Sequence, residues 1–307
     1  MTASVGGMPA TLQQLFLPVE GPFSLAQSIA FVDSFVPASA PQDDAARLRL
    51  ALVDDGGVPV FFAAAAEGRG VVVDYASDLP EPAVAAHVAR VLSIDVDGRA
   101  FATAGRADPV LGALQAHYPG RRPVCFGTPF EAAVWAVLSQ RVAMRQAARL
   151  KAELVAELGA ELEFDGQLLR AFPAPDVLTE LESFPGLWGA KVKRIRALAH
   201  AALAGDLDPE ALRALEPDAA LEHLTSLPGI GPFSAALILV RGAGHPDVLP
   251  GDERRLRRAV ALAYGLGDRD ATAEELAAIS DGWRPFRSWA AFLLRNWLDD
   301  PDRGSMP

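Results

Sequence analysis

The sequence predicts an α+β protein, mainly helical, with a small β-rich unit at its amino-terminal end. Three observations carry this expectation. Period-two alternation is confined to the front third, helical spacing with proline starts and glycine stops fills the chain from residue 128 onward, and half of the 307 residues are hydrophobic, enough to bury a substantial core.

In the front third, Leu48, Leu50 and Leu52 alternate with Arg47, Arg49 and Ala51. Gly56-Gly57 supplies a turn, Val58 to Phe62 returns, and Gly70 to Tyr75 offers a further strand. A helix is expected from about Glu81 to Leu92, with Pro82 in its first turn and Val84, Val88, Val91 and Leu92 at helical spacing. From Thr128 the chain reads as almost wholly helical. Thr128-Pro129-Phe130-Glu131 is a capping box with proline at the first helical position, starting a helix that runs to about Ser139. Further helices are expected over Ala143 to Leu158, Asp176 to Ser183, Ala190 to Ala204, Ala219 to Ser226, Pro232 to Gly242, Asp252 to Tyr264 and Pro285 to Leu298. No internal repeat or low-complexity segment stands out.

Composition narrows the function classes. A single cysteine, Cys125, excludes an internal disulfide and a multi-cysteine metal or iron-sulfur site supplied by one chain, and it fits a reducing, cytoplasmic setting. The first residues lack a basic segment followed by an apolar run, and no stretch approaches the roughly 20 charge-free apolar residues of a membrane helix, so neither export nor membrane insertion is expected. The formal charge of -11 argues against a nucleic-acid partner. That acidity is concentrated toward the front, however: residues 1–110 hold 13 acids against 6 bases, the remainder 26 against 22. Bases cluster at Arg141, Arg145, Arg149 and Lys151, at Lys191, Lys193, Arg194 and Arg196, and at Arg254, Arg255, Arg257 and Arg258. Local patches of this kind attract DNA where net charge does not, although each also reads as an ordinary solvated helix face.

The most informative stretch is Leu227-Pro228-Gly229-Ile230-Gly231-Pro232-Phe233-Ser234-Ala235, between two helical segments. Glycines at 229 and 231 allow left-handed backbone and close approach to a partner, Pro232 starts the next helix, and the free amides at a helix start form a phosphate seat that needs no lysine. A lone Gly-x-Gly is more often a plain helix-helix turn. Here, however, Asp252 follows 21 residues beyond Gly231, in Val248-Leu249-Pro250-Gly251-Asp252-Glu253. Asp252 also reads as a helix N-cap, and its neighbour Glu253 as a surface carboxylate.

Together the hairpin and this aspartate resemble the helix-hairpin-helix DNA glycosylase superfamily, over most of residues 120 to 300, with the greatest likeness to the bacterial DNA-3-methyladenine glycosylase II proteins. Pro129-Phe130-Glu131-Ala132 leading to Leu138-Ser139-Gln140-Arg141-Val142 resembles that family's first core helix and the turn after it. Gly282-Trp283-Arg284-Pro285-Phe286-Arg287-Ser288-Trp289 resembles its closing motif. The cysteines of the iron-sulfur branch are absent, and Phe233 stands where bifunctional members carry a Schiff-base lysine.

The resemblance implies a mainly helical glycosylase body behind the β-rich unit, divided at about residues 110 and 245, with the carboxy-terminal helices 246–307 carrying the catalytic aspartate and completing the body. It implies a monofunctional enzyme, without lyase activity, that hydrolyses the glycosidic bond of alkylated purines flipped out of the duplex. Asp252 is then catalytic. Gln140, Arg141, Leu227, Gly229, Ile230, Gly231 and Ser234 contact DNA, with Arg141 at the position of the wedge, and Phe233 and Trp297 line the base pocket. The partner is damaged double-stranded DNA and the protein a monomer. No cofactor is implied, and a monovalent cation under the hairpin carbonyls is left open. Ser139, Phe233 and Gly251 depart from the family pattern, which bears on substrate preference more than on catalysis. A non-catalytic DNA-binding protein and a glycosylase for deaminated bases are the competing readings.

Overall fold

In a computed structural model of the chain, which describes residues 12–34, 42, 44, 46–304 and 306, four antiparallel strands form a sheet in the order β1-β4-β3-β2. These are β1 Gln13–Pro18, β2 Arg47–Val53, β3 Pro59–Glu67 and β4 Gly70–Ala76. The register pairs Leu50 with Phe62 and Ala64 with Val73. Leu48 and Leu52 are buried on the inner face, as their alternation with polar neighbours predicts. The sequence reading does not anticipate β1 or α1 (Leu25–Ser34); β1 commits only Leu15 and Leu17 to the core and is held by its pairing with β4.

Helix α2 (Glu81–Val91) buries Val84, Val88 and Val91, as its spacing predicts. Two unanticipated helices follow, α3 (Gly98–Ala107) and α4 (Pro109–His117), each started by an aspartate, Asp97 and Asp108, whose side chain accepts backbone amides of the first turn. The body then runs through α5 (Pro129–Leu138), α6 (Met144–Leu158), α7 (Pro175–Thr179), α8 (Ala190–Leu203), α9 (Pro209–Ala214), α10 (Pro217–Thr225), α11 (Pro232–Leu237), α12 (Arg254–Ala263), α13 (Ala273–Ser280) and α14 (Arg287–Asp299). Helix α5 is apolar on every side and correspondingly buried on every side, the pillar of the helical body.

Three local expectations change. Thr128 accepts the Glu131 amide (3.2 Å), but Glu131 reaches back to the Gly127 amide (2.9 Å) and to Lys151 (2.6 Å), so the reciprocal half of the capping box is displaced by one residue. Residues 232–242, expected as one α-helix, loosen into a π-helical turn at Ile238–Gly242. The region read as almost wholly helical contains an unanticipated hairpin, β5 (Glu161–Phe164) and β6 (Gln167–Arg170). Its signal was present: Asp165-Gly166, at φ 52° and 78°, is a two-residue turn of the kind that hairpins favour. This hairpin packs Phe164 and Ala171 against Val53, Phe61, Ala63 and Ala76, covering the outer face of the sheet.

Packing divides the chain differently from the boundaries at 110 and 245. One core joins residues 15–124 with Leu256 to Trp297; the other joins Phe126 to Val248. The carboxy-terminal helices thus share their core with the front unit, because α14 lies against α4 and α12. The two cores meet where the buried Arg90 of α2 donates to the carbonyls of Phe126 (3.3 Å), Gly242 (2.5 Å) and Gly127.

At this junction Asp55, in the β2–β3 turn, keeps Oδ1 buried with no hydrogen-bond partner among the described residues. Burial pushes its carboxyl up to about 7; Arg90 opposes the rise, and Asp208 and Asp54 add to it. The folded state therefore holds a proton that the unfolded chain releases near pH 4, and Asp55 makes unfolding easier as pH rises from about 4 to about 7. His87, whose pKa burial and Arg90 lower, works in the opposite sense below its ordinary value. Asp55→Asn should stabilise the protein by roughly 4 kcal/mol at pH 8 and by less than about 2 kcal/mol at pH 5. Urea midpoints of both proteins at the two pH values check this; an equal gain at both would remove the buried proton from the account.

Candidate active site

Two turns and one loop build the site. Between α10 and α11 the chain reverses through Leu227–Gly231. The Ile230 amide donates to the Leu227 carbonyl (3.1 Å), and Gly229 takes φ 87°, a left-handed value suited to glycine. Gly231, expected to share that role, is extended at φ -101°, and a Cβ there would meet nothing within 4 Å. Leu227 and Ile230 are buried at 8% and 5% exposure, so their side chains anchor the hairpin and only their backbone faces outward. Ser234 is half-exposed in the first turn of α11, whose amides have no intrahelical acceptor.

The turn from α5 to α6 carries Gln140 and Arg141. Gln140, expected at the DNA surface, braces the site from within: its Nε2 donates to the Gly229 carbonyl (2.8 Å) and its Oε1 accepts from Arg194 of α8 (2.7 Å). Both ends of the carboxamide are committed internally, which ties the α5–α6 turn to the hairpin. Arg194 belongs to this unit although only its membership of a basic cluster was legible. Lys191, one turn earlier, donates to the Leu138 carbonyl (2.8 Å). Arg141 stands at the tip of the turn, exposed, at φ 57°, a conformation uncommon outside glycine.

The third piece is the loop before α12. Val248 is buried in the helical core, and the Glu253 amide closes a turn onto the Pro250 carbonyl (3.0 Å), leaving Asp252 exposed. Helix α12 begins at Arg254 with Glu253 as its N-cap residue, so Asp252 lies two positions before the helix rather than capping it. The loop is clamped from behind. Ser288 Oγ accepts from the Val248 amide (2.9 Å) and donates to its carbonyl (3.0 Å), and Arg287 donates to both the carboxylate (2.8 Å) and the carbonyl (2.8 Å) of Asp247. The Trp283–Trp289 motif therefore supports the loop, a role that neither its spacing nor its composition revealed.

Helices α10 and α11, on either side of the hairpin, and the loop enclose a cleft of about 200 Å³ lined by Leu221, Glu222, Thr225, Pro232, Phe233, Ala236, and Leu249 through Glu253. That is below the ~300–1,000 Å³ of drug-sized ligand sites and on the scale of a single aromatic base. Phe233, 58% exposed, and Asp252 share it. Trp297 does not: it is 5% exposed on the inner side of α14, its indole N–H donates to the Gly304 carbonyl (3.3 Å), and Arg303 lies over its ring. Glu253, read as a surface carboxylate, also lines the cleft and pairs with Arg295 (2.6 Å). Burial raises its pKa; Arg295 and Arg255 oppose that and Asp299 reinforces it. A larger cavity, about 380 Å³ between β2 and α6, contains none of the residues predicted for the site.

Charge is sorted by pairing. Arg254, Arg255 and Arg258 are matched with Asp270, Asp299 and Asp268. Arg149 is matched with Glu153 and Lys151 with Glu131. Arg141, Arg145 and Lys193 are exposed and enter no ion pair among the described residues, and neither does Asp252. Two hairpin carbonyls, of Leu227 and Gly229, already accept hydrogen bonds that a cation beneath them would have to share.

The hairpin braced against the turn from a buried helix, with a carboxylate at the mouth of a small cleft, is carried on a fold shared with DNA glycosylases. The fold is theirs: the 3-methyladenine DNA glycosylase of Archaeoglobus fulgidus matches with a TM-score of 0.75 over 94% of this chain and 98% of that one, at 23% identity. In sequence the chain is related to the bacterial DNA-3-methyladenine glycosylases. It is 32% identical over 216 residues to the probable bifunctional transcriptional activator/DNA repair enzyme AlkA of Mycobacterium tuberculosis, a match covering 69% of this chain but 42% of that protein. It is 26% identical over 205 residues to the DNA-3-methyladenine glycosylase of Bacillus subtilis, covering 66% and 67% of the two chains. No protein-family model matches. Among the described residues, no helix is long and apolar enough to cross a membrane.

Proposed function

We propose that the protein is a monofunctional DNA glycosylase that removes alkylated purines of the 3-methyladenine and 7-methylguanine type from double-stranded DNA, acting as a monomer in the cytoplasm and starting base excision repair. The observation that carries this reading is the shared cleft of Phe233 and the unpaired Asp252 beside the hairpin. A purine methylated on a ring nitrogen is cationic, so its glycosidic bond breaks with little acid assistance: the base leaves with the bonding pair and the sugar becomes oxocarbenium-like. Asp252 stabilises that charge, and water adds to the anomeric carbon. The Phe233 ring offers an electron-rich face to the cationic base.

The chain's three lysines are Lys151, Lys191 and Lys193; none lines the cleft, which supports hydrolysis without a Schiff base. The net charge of -11 is compatible with DNA because the grip rests on hairpin amides and on Arg141, Arg145 and Lys193. The test is release of free bases from methylated duplex DNA, followed by hot alkali. Methylated purines with strand breaks only after alkali are expected; strand breaks without alkali would replace hydrolysis by lyase chemistry.

Glu253 favours a second substrate class. A carboxyl whose pKa burial raises keeps its proton longer and can hand it to a neutral leaving base such as hypoxanthine; once ionised it adds a second negative charge that suits a cationic base. The ratio of 7-methylguanine to hypoxanthine released should therefore rise as pH rises through the Glu253 titration in wild type and stay flat in Glu253→Gln. Parallel curves for the two proteins would exclude Glu253 from base selection.

A further inference from the structure

Three walls form the cleft: the loop before α12, helix α11 and helix α10. In the glycosylase reading Asp252 of the loop serves the sugar and Phe233 of α11 the face of the base. That leaves α10, with Leu221, Glu222 and Thr225, to meet an edge of the base.

The polar groups of the cleft are one-sided. Thr225 has no proton to offer, because its hydroxyl donates to the carbonyls of Leu221 (2.8 Å) and Glu222 (2.8 Å) within its own helix. Glu253 is engaged by Arg295 (2.6 Å). Glu222 is exposed, and its carboxylate enters no ion pair or hydrogen bond among the described residues. The leucines, prolines, alanine and glycine of the lining carry no polar side-chain atom. With Glu253 ionised, every polar side-chain atom still open in the cleft is therefore an acceptor.

A flipped base is read on its pairing edge, and the edges differ in what they offer to an acceptor wall. A guanine-type base presents two adjacent donors, N1–H and the N2 amino group, which a carboxylate accepts in parallel; methylation at N7 leaves both in place and strengthens them with positive charge. An adenine-type base presents one donor, the N6 amino group, beside the N1 lone pair, which a carboxylate repels.

We propose that Glu222 is the base-selecting residue of this site, its carboxylate accepting N1–H and the N2 amino group of a flipped 7-methylguanine. The assignment rests on the glycosylase reading and narrows it to a site built for guanine-type lesions. A carboxamide at the same position presents one donor and one acceptor, the complement of adenine's edge, so Glu222→Gln shifts the preference whereas Glu222→Ala only loses it.

Duplex DNA treated with a methylating agent carries 7-methylguanine and 3-methyladenine together, so one sample ranks both. Single-turnover release of each free base is followed at pH 7 for wild type, Glu222→Gln and Glu222→Ala, alongside affinity for a duplex with a tetrahydrofuran abasic analogue. Both variants should release 7-methylguanine about tenfold more slowly, with 3-methyladenine undiminished in Glu222→Ala and faster in Glu222→Gln. Affinity for the abasic duplex, which presents no base, should not change. Equal falls for both bases, an unchanged ratio, or a loss matched by abasic-duplex affinity would each overturn base selection by Glu222 and leave the glycosylase reading standing. Failure of wild type to release any methylated base would overturn that reading and the assignment with it.

Discussion

Asp252→Asn should lower release of methylated purines by about 10²–10³-fold, the scale on which enzymes lose a charge stabiliser at the reacting centre. The exchange keeps shape and removes only the charge. Because Asp252 is exposed, caps no helix and enters no ion pair among the described residues, nothing in the folded protein is left unsatisfied by it. Thermal stability should be unchanged and affinity for an abasic-site duplex should stay within about twofold, so lost turnover would report chemistry alone. Single-turnover base release and anisotropy on the same preparations check both halves. Undiminished turnover would remove Asp252 from the mechanism and shift attention to Glu253, the other carboxylate at that side of the cleft.

Gly229→Ala should weaken binding to every duplex, methylated or not, by tenfold or more. Two costs coincide at this position. The backbone sits at φ 87°, where a Cβ costs roughly 1–2 kcal/mol, and that Cβ would stand 2.5 Å from Arg194 Cδ. Arg194 must then move, and with it Gln140 and the hydrogen bond that fixes the hairpin carbonyl. Gly231→Ala is the matched control. Its backbone is extended and its surroundings open, so the free protein should fold unchanged and any loss of affinity would measure how closely DNA approaches. A defect in Gly229→Ala confined to one lesion would mean that the hairpin reads the base rather than the backbone.

The hairpin was legible because its determinants are local. A left-handed turn needs glycine, a helix start accepts proline, and both are written within nine consecutive residues. The front sheet was legible in part for the same reason: Leu48, Leu50 and Leu52 announce β2, whereas Leu15 and Leu17 are too few to announce β1. Gln140 was placed at the right turn, but its bracing role was not legible, since nothing within its neighbourhood in sequence shows that Gly229 and Arg194 occupy both ends of its amide. Trp297 was assigned to the base pocket by resemblance, and only the packing of α14 shows it buried in the core and absent from the lining of the cleft.

What the sequence by itself determined is the set of short-range conformations, namely the caps, the proline-started helices, the left-handed Gly229 and the alternation of one hairpin, because sterics and hydrogen bonding act over a few residues. What only the tertiary structure decided is convergence. Asp252 meets Phe233 across a cleft, Ser288 clamps Val248 from 40 residues away, and Arg194 reaches Gln140 across 54. Such contacts depend on how whole helices pack around two cores, and packing sums many weak, non-directional contacts over the entire chain, leaving no local pattern to read.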